Sequence, residues 1–118
     1  MNYKYKFSKL EYSDGDKDLI IIMEERYQMI AQFLMSDIQG SDPGYVFEAI
    51  DKVLSGESDY EELNGNVCGV EIHKDKTQVY DNLAEDGMGN WCEVDTKDLR
   101  ELVDIWCKEV KKFKEQHK

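Results

Sequence analysis

Glu24-Glu25-Arg26-Tyr27-Gln28-Met29-Ile30-Ala31-Gln32-Phe33-Leu34-Met35-Ser36-Asp37-Ile38-Gln39 is the stretch on which the fold turns. Counted at the helical period, Tyr27, Ile30, Ala31, Leu34, Met35 and Ile38 share one face. Counted in alternation, Tyr27, Met29, Ala31, Phe33 and Met35 share a face after a charged turn at Glu24-Glu25-Arg26. Periodicity favours the helix. Against it, no Gly, Pro or Asn separates Met23 from Tyr27, so a strand would have to become a helix abruptly. The absence of a breaker tips the reading towards a third strand, with the helix as its alternative.

Upstream, Tyr3, Tyr5 and Phe7 alternate with Lys4, Lys6 and Ser8, the pattern of a half-buried strand. Ser13-Asp14-Gly15-Asp16 reads as a turn, and Leu19 to Met23, rich in β-branched Ile, as the returning strand. Downstream, Ser41-Asp42-Pro43 can start a helix, with Ser41 or Asp42 as cap and Pro43 where its missing N–H costs nothing. Val46, Ala49, Ile50, Val53 and Leu54 form its apolar stripe, and Gly56 can close it in the left-handed conformation. Asn64-Gly65 marks a turn. Val67 to Lys74 and Thr77 to Leu83 make a hairpin around Asp75-Lys76. A loop at Asp86-Gly87-Met88-Gly89-Asn90 leads to a short strand, Trp91 to Val94. Asp95 or Thr96 then caps a last helix in which Leu99, Leu102, Val103, Trp106, Val110 and Phe113 recur at helical spacing. Lys111, Lys112 and Lys114 lie near its C-terminus, where the helix dipole favours cations. The predicted class is α+β: one domain over residues 1–118, an antiparallel sheet with two main amphipathic helices packed on it.

The chain has 118 residues, enough for one core and too few for two. It carries 26 Asp+Glu against 15 Lys+Arg, a formal charge of −11. That balance repels phosphate and anionic lipid, which argues against nucleic acid and membrane surfaces as partners. The acidity sits in the body: residues 1–95 net −13, whereas residues 96–118 net +2. The longest apolar run is Leu19 to Met23, far short of a membrane span. The N-terminus has no apolar segment or cleavage site of an export signal. With an odd number of cysteines, Cys68, Cys92 and Cys107, and no framework spacing, the expected setting is a reducing cytoplasm.

Two constellations invite a chemical reading. Asp14, Asp16 and Asp18 match the opening positions of a calcium loop, and Glu25 falls at its twelfth. Leu19, however, stands where that loop needs glycine, and strong β-formers follow. Cys68 and Cys92 could meet on neighbouring strands with His73 nearby, but no ligand spacing supports zinc. No phosphate loop, dinucleotide motif, nucleophile elbow or zinc-protease motif is present. A non-catalytic chain without metal or cofactor is expected. What stands out is an acidic stretch, Asp75, Asp81, Glu85, Asp86, Glu93 and Asp95, interleaved with Tyr80 and Trp91. It is complementary to a basic partner, and equally readable as a solvated face.

Short pieces along the chain carry a resemblance: Ile38-Gln39-Gly40-Ser41, Phe47-Glu48-Ala49-Ile50-Asp51-Lys52-Val53-Leu54-Ser55-Gly56, Asn66-Val67-Cys68, and Thr96 through Phe113. From Leu19 to Phe113 the chain resembles immunity proteins of bacterial contact-dependent growth inhibition and related polymorphic toxin systems. The resemblance implies a small, acidic, catalytically inert protein that binds a cognate basic toxin domain, often a nuclease, and occludes its active site. It supplies no catalytic residues and no contact list. The contacts expected from the acidic stretch are Asp81, Glu85, Asp86 and Glu93, with Tyr80 and Trp91 as aromatic anchors. Two other readings stay open: an acidic adaptor for another basic protein, and a small metal- or calcium-binding domain.

Overall fold

A computed structural model describes residues 3–38, 44–64, 68–81 and 91–116. The chain opens with a hairpin of β1 (Tyr5–Glu11) and β2 (Lys17–Met23). Its turn is built as the sequence implies: Gly15 takes a φ of +90°, and Asp14 accepts a hydrogen bond from the Asp16 N–H at 3.0 Å. Tyr5, Phe7, Ile21 and Met23 face the body near the base. Every residue from Ser8 through Asp18 is exposed, so the tip projects into solvent.

The stretch after Met23 is not a third strand. A short 3₁₀ turn over Glu25–Tyr27 leads into α1 (Gln28–Asp37). The abrupt switch needs no glycine because Glu24 alone supplies it, at φ −57° and ψ 150°. The Tyr27 N–H then bonds the Glu24 carbonyl at 2.8 Å, and the Gln28 side chain donates to the last strand carbonyl, Met23 O, at 2.9 Å. Tertiary burial rewards the helical period: Ile30, Ala31, Phe33, Leu34 and Ile38 are all buried, adjacent pairs that no strand could turn to one side.

The helix α2 (Gly44–Leu54) buries Val46, Ala49, Ile50 and Val53. Gly56 follows it at φ +85°, its N–H bonding the Val53 carbonyl. The expected start at Ser41-Asp42-Pro43 lies outside the described residues.

Four antiparallel strands form the main sheet in chain order: β3 (Tyr60–Asn64), β4 (Cys68–His73), β5 (Lys76–Asp81) and β6 (Trp91–Asp95). Thus the antiparallel pairing expected of the chain is divided between two sheets, and a third helix joins the two expected ones. Strand β3 carries little signature in the sequence, because Tyr-Glu-Glu-Leu-Asn offers one aliphatic residue to an alternation count.

The last helix, α3 (Thr96–Gln116), starts where predicted. Its first residue is fixed to the β4–β5 turn. The Thr96 N–H bonds the Asp75 carbonyl at 3.1 Å, and its hydroxyl donates to the His73 carbonyl at 2.5 Å. Thr77 Oγ1 lies 2.8 Å from Thr96 Oγ1, and both threonines are fully buried. Arg100 ties α3 to α2: it holds Asp51 through two bonds at 2.7 and 3.2 Å and lies 4.8 Å over the Phe47 ring. Trp106 is 3% exposed, donates from Nε1 to the Ile38 carbonyl at 2.7 Å and stacks on Phe7.

All three helices lie on one side of the main sheet. There α1 packs across β4, β5 and β6, α2 on β3 and β4, and α3 on β5 and β6. Val70, Ile72, Val79, Cys92 and Val94 form the floor of the core.

Candidate functional site

The other side of that sheet has no helix over it among the described residues. Registers of the three strand pairs place its side chains in rows. One row runs Glu62, Glu71, Gln78, Glu93. The next runs Asn64, Gly69, Tyr80, Trp91. At the far end Tyr60 pairs with His73, and Lys76 with Asp95.

Three carboxylates in one row of an uncovered sheet is costly packing, since like charges directly opposite repel. The sharpest case is Glu62 facing Glu71. Tyr60 mitigates it: its hydroxyl donates to Glu62 at 2.8 Å and lies 3.4 Å from Glu71 Oε1. Those carboxylates in turn push the Tyr60 phenol well above its ordinary pKa. Lys76, the lysine of this face, is engaged in an ion pair with Asp95, whose carboxyl it holds below the usual range. The face is therefore net negative.

One glycine makes room for the Tyr80 ring to lie on the sheet. A Cβ placed on Gly69 would run into the Tyr80 ring, with Cε2 and the hydroxyl oxygen both 2.5 Å away. Tyr80 thus lies across β4, and partial burial, then Glu62 and Glu71, raise its pKa. Trp91 is 52% exposed and Tyr60 38%, so large apolar rings stand in water at both ends of the acidic row. Trp91 also borders a groove of about 340 Å³ against Glu25, Arg26, Gln28, Met29 and Gln32 at the β6 edge.

Of the residues singled out from sequence, Tyr80, Trp91 and Glu93 come together here. Asp81 does not: alternation turns it to the helix side, opposite Cys68, where its charge and that of Asp37 bear on the thiol. Glu85 and Asp86 lie outside the described residues. Tyr60, Glu62 and Glu71, which the sequence reading does not single out as contacts, lie on the same face. The signal for Glu71 was present, as the charged residue breaking the apolar run of β4, but its neighbours depend on register.

The two chemical constellations are not assembled. Asp16 and Asp18 are drawn into the hairpin, where Asp18 accepts from the Tyr12 hydroxyl at 2.7 Å. Glu25 lies beyond the far end of β2, roughly 20 Å along a strand. Strand β5 separates Cys68 from Cys92, and exposed His73 ends the strand that Cys68 begins. Among the described residues no three His, Cys, Asp or Glu side chains gather as a metal site would need. All three cysteines are buried. Burial first, then neighbouring carboxylates, push Cys68 up to about 12, and burial pushes Cys92 up to about 11. Protonated thiols of this kind are poor nucleophiles. No described helix is long and apolar enough to cross a membrane.

No protein-family profile matches the chain, and no solved structure matches it. A curated protein of Bacillus cereus, named an immunity protein, is 39% identical over 114 residues, 97% of this chain and 93% of its own length. Identity at that level along nearly the whole of both chains is kinship, and the chain belongs to the immunity-protein family that this relative represents.

Proposed function

We propose that this protein neutralises a cognate toxin by binding it directly and covering its active site, without catalysis of its own. The observation that carries the reading is the end-to-end relationship to an immunity protein. The toxin we expect is a basic domain, of the nuclease class, met in the cytoplasm of the producing cell. A nuclease must hold phosphate, so its active site is electropositive, and an acidic protein can offer carboxylates in phosphate's place. A formal charge of −11 suits that role and speeds encounter by electrostatic steering. Tyr80, Trp91 and Glu93, which share the helix-free side of the sheet, are the contacts we assign, together with Glu85 and Asp86; Asp81, turned to the helix side, is not among them.

The test is survival of cells producing the toxin domain encoded beside this gene, with and without this protein. Protection together with a direct complex of the two purified proteins is the expected result. Failure of the wild-type protein to bind that domain would overturn the reading. Association should slow steeply as salt rises while dissociation changes less.

A further inference from the structure

We infer that the toxin docks on the helix-free face of the main sheet, centred on the row Glu62, Glu71, Gln78 and Glu93, and meets it with an arginine- or lysine-bearing surface. This rests on the toxin-binding reading and goes beyond it, because it moves the centre of contact away from Glu85 and Asp86 and onto β3 and β4. It also leaves Asp81 on the far side of the sheet.

Three independent features of the face support it. Its charge is one-sided: Glu62, Glu71 and Glu93 line up across the strands, while Lys76 is already paired with Asp95. Its shape suits a broad contact, since the Tyr80 ring lies across β4 over Gly69. It also presents two exposed rings, Trp91 and Tyr60, at either end of the carboxylates. Aromatic anchors beside complementary charge are what concentrates binding energy at protein interfaces. A partner's guanidinium or ammonium groups would relieve the repulsion between Glu62 and Glu71, which the free protein tolerates. A second copy of this chain would bring carboxylate to carboxylate and is disfavoured on the same ground.

The experiment compares three full-length proteins against the purified toxin domain encoded beside the gene, by association kinetics and calorimetry. They are the wild type, the double variant Glu62→Lys/Glu71→Lys, and the double variant Glu57→Lys/Glu115→Lys. The two variants change net charge equally but at different places. We expect the sheet-face pair to weaken binding at least about tenfold, and the control pair to stay within about twofold. Equal losses would mean that only net charge matters and would overturn the docking site while the toxin-binding function stands. Unchanged binding by the sheet-face pair would do the same. No binding by the wild type would bring down both readings. If the lysine pair folds poorly, Glu62→Gln/Glu71→Gln replaces it, with slower association and a melting temperature no lower than wild type. A dimer that dissociates on sheet-face reversal, measured without toxin by sedimentation, would overturn the proposal in favour of self-association.

Discussion

The two faces of the main sheet are made by the same strands, residue by alternate residue, yet they answer to different demands. On the helix side Val70, Ile72, Val79, Cys92 and Val94 are sealed under three helices. On the other side Tyr60, Glu62, Glu71, Tyr80, Trp91 and Glu93 meet solvent or each other. A strand of five or six residues can therefore hold the fold and a recognition surface at once, because neighbouring side chains point to opposite sides. Substitutions should sort accordingly: helix-side changes alter stability, and open-side changes alter binding more than stability.

The largest effect should come from Trp106→Ala. It removes a buried indole, its stack on Phe7 and its bond to Ile38, and should cost about 3–5 kcal/mol. Calorimetry should show melting lowered by roughly 10–20 °C; an unchanged melt would place Trp106 outside the core. Gly69→Ala comes next, at about 1–3 kcal/mol, because the methyl group displaces the Tyr80 ring. Adding Tyr80→Ala should recover most of that loss, an unusual rescue in which a second truncation restabilises; no recovery would mean the ring does not lie where the structure puts it.

Alkaline pH gives a smaller test of the sealed side. The Cys68 pKa is raised in the folded state from about 9 to about 12, so folding is favoured with the thiol protonated. That contribution is complete below pH 9 and declines as pH rises towards 12. Denaturation midpoints of the wild type should therefore fall more steeply across that window than those of Cys68→Ala; parallel slopes would contradict the burial. The smallest effect should be Asp51→Ala, which frees Arg100 on a solvent-exposed joint between α2 and α3. About 0.5–1 kcal/mol is expected there, read by urea denaturation.

Much of the covered face was legible in the sequence, since burial writes a period. The stripes Val46 to Val53 and Leu99 to Val110 stand out because each helix has one apolar side. The segment 24–39 misled for a local reason: the signal sought was a breaker residue, and the chain turns instead on the backbone of Glu24 with a glutamine closing the strand end. Strand β3 went unseen because its two inward positions, Glu61 and Leu63, provide too little apolar pattern. The open face was legible only in fragments. Tyr80, Trp91 and Glu93 lie among acids in the chain, whereas Glu62 and Glu71 become neighbours through strand pairing, which composition does not encode. Asp81 was grouped with Tyr80 by adjacency, and adjacency in a strand means opposite sides.

The threonine pair at the start of α3 bears on the order in which the chain assembles. Thr96 bonds the carbonyls of His73 and Asp75 and touches Thr77, so the helix acquires its first-turn partners only once the β4–β5 turn exists. The bonds from Thr96 to Thr77 and His73 span 19 and 23 residues, short loops whose closure costs little entropy. Strands β4 to β6 and the first turn of α3 are thus tied together by contacts of modest sequence separation, the kind whose formation is expected to be fast. The N-terminal hairpin and α1, joined to them through Trp106 and the sheet floor, would then condense onto a surface already in place.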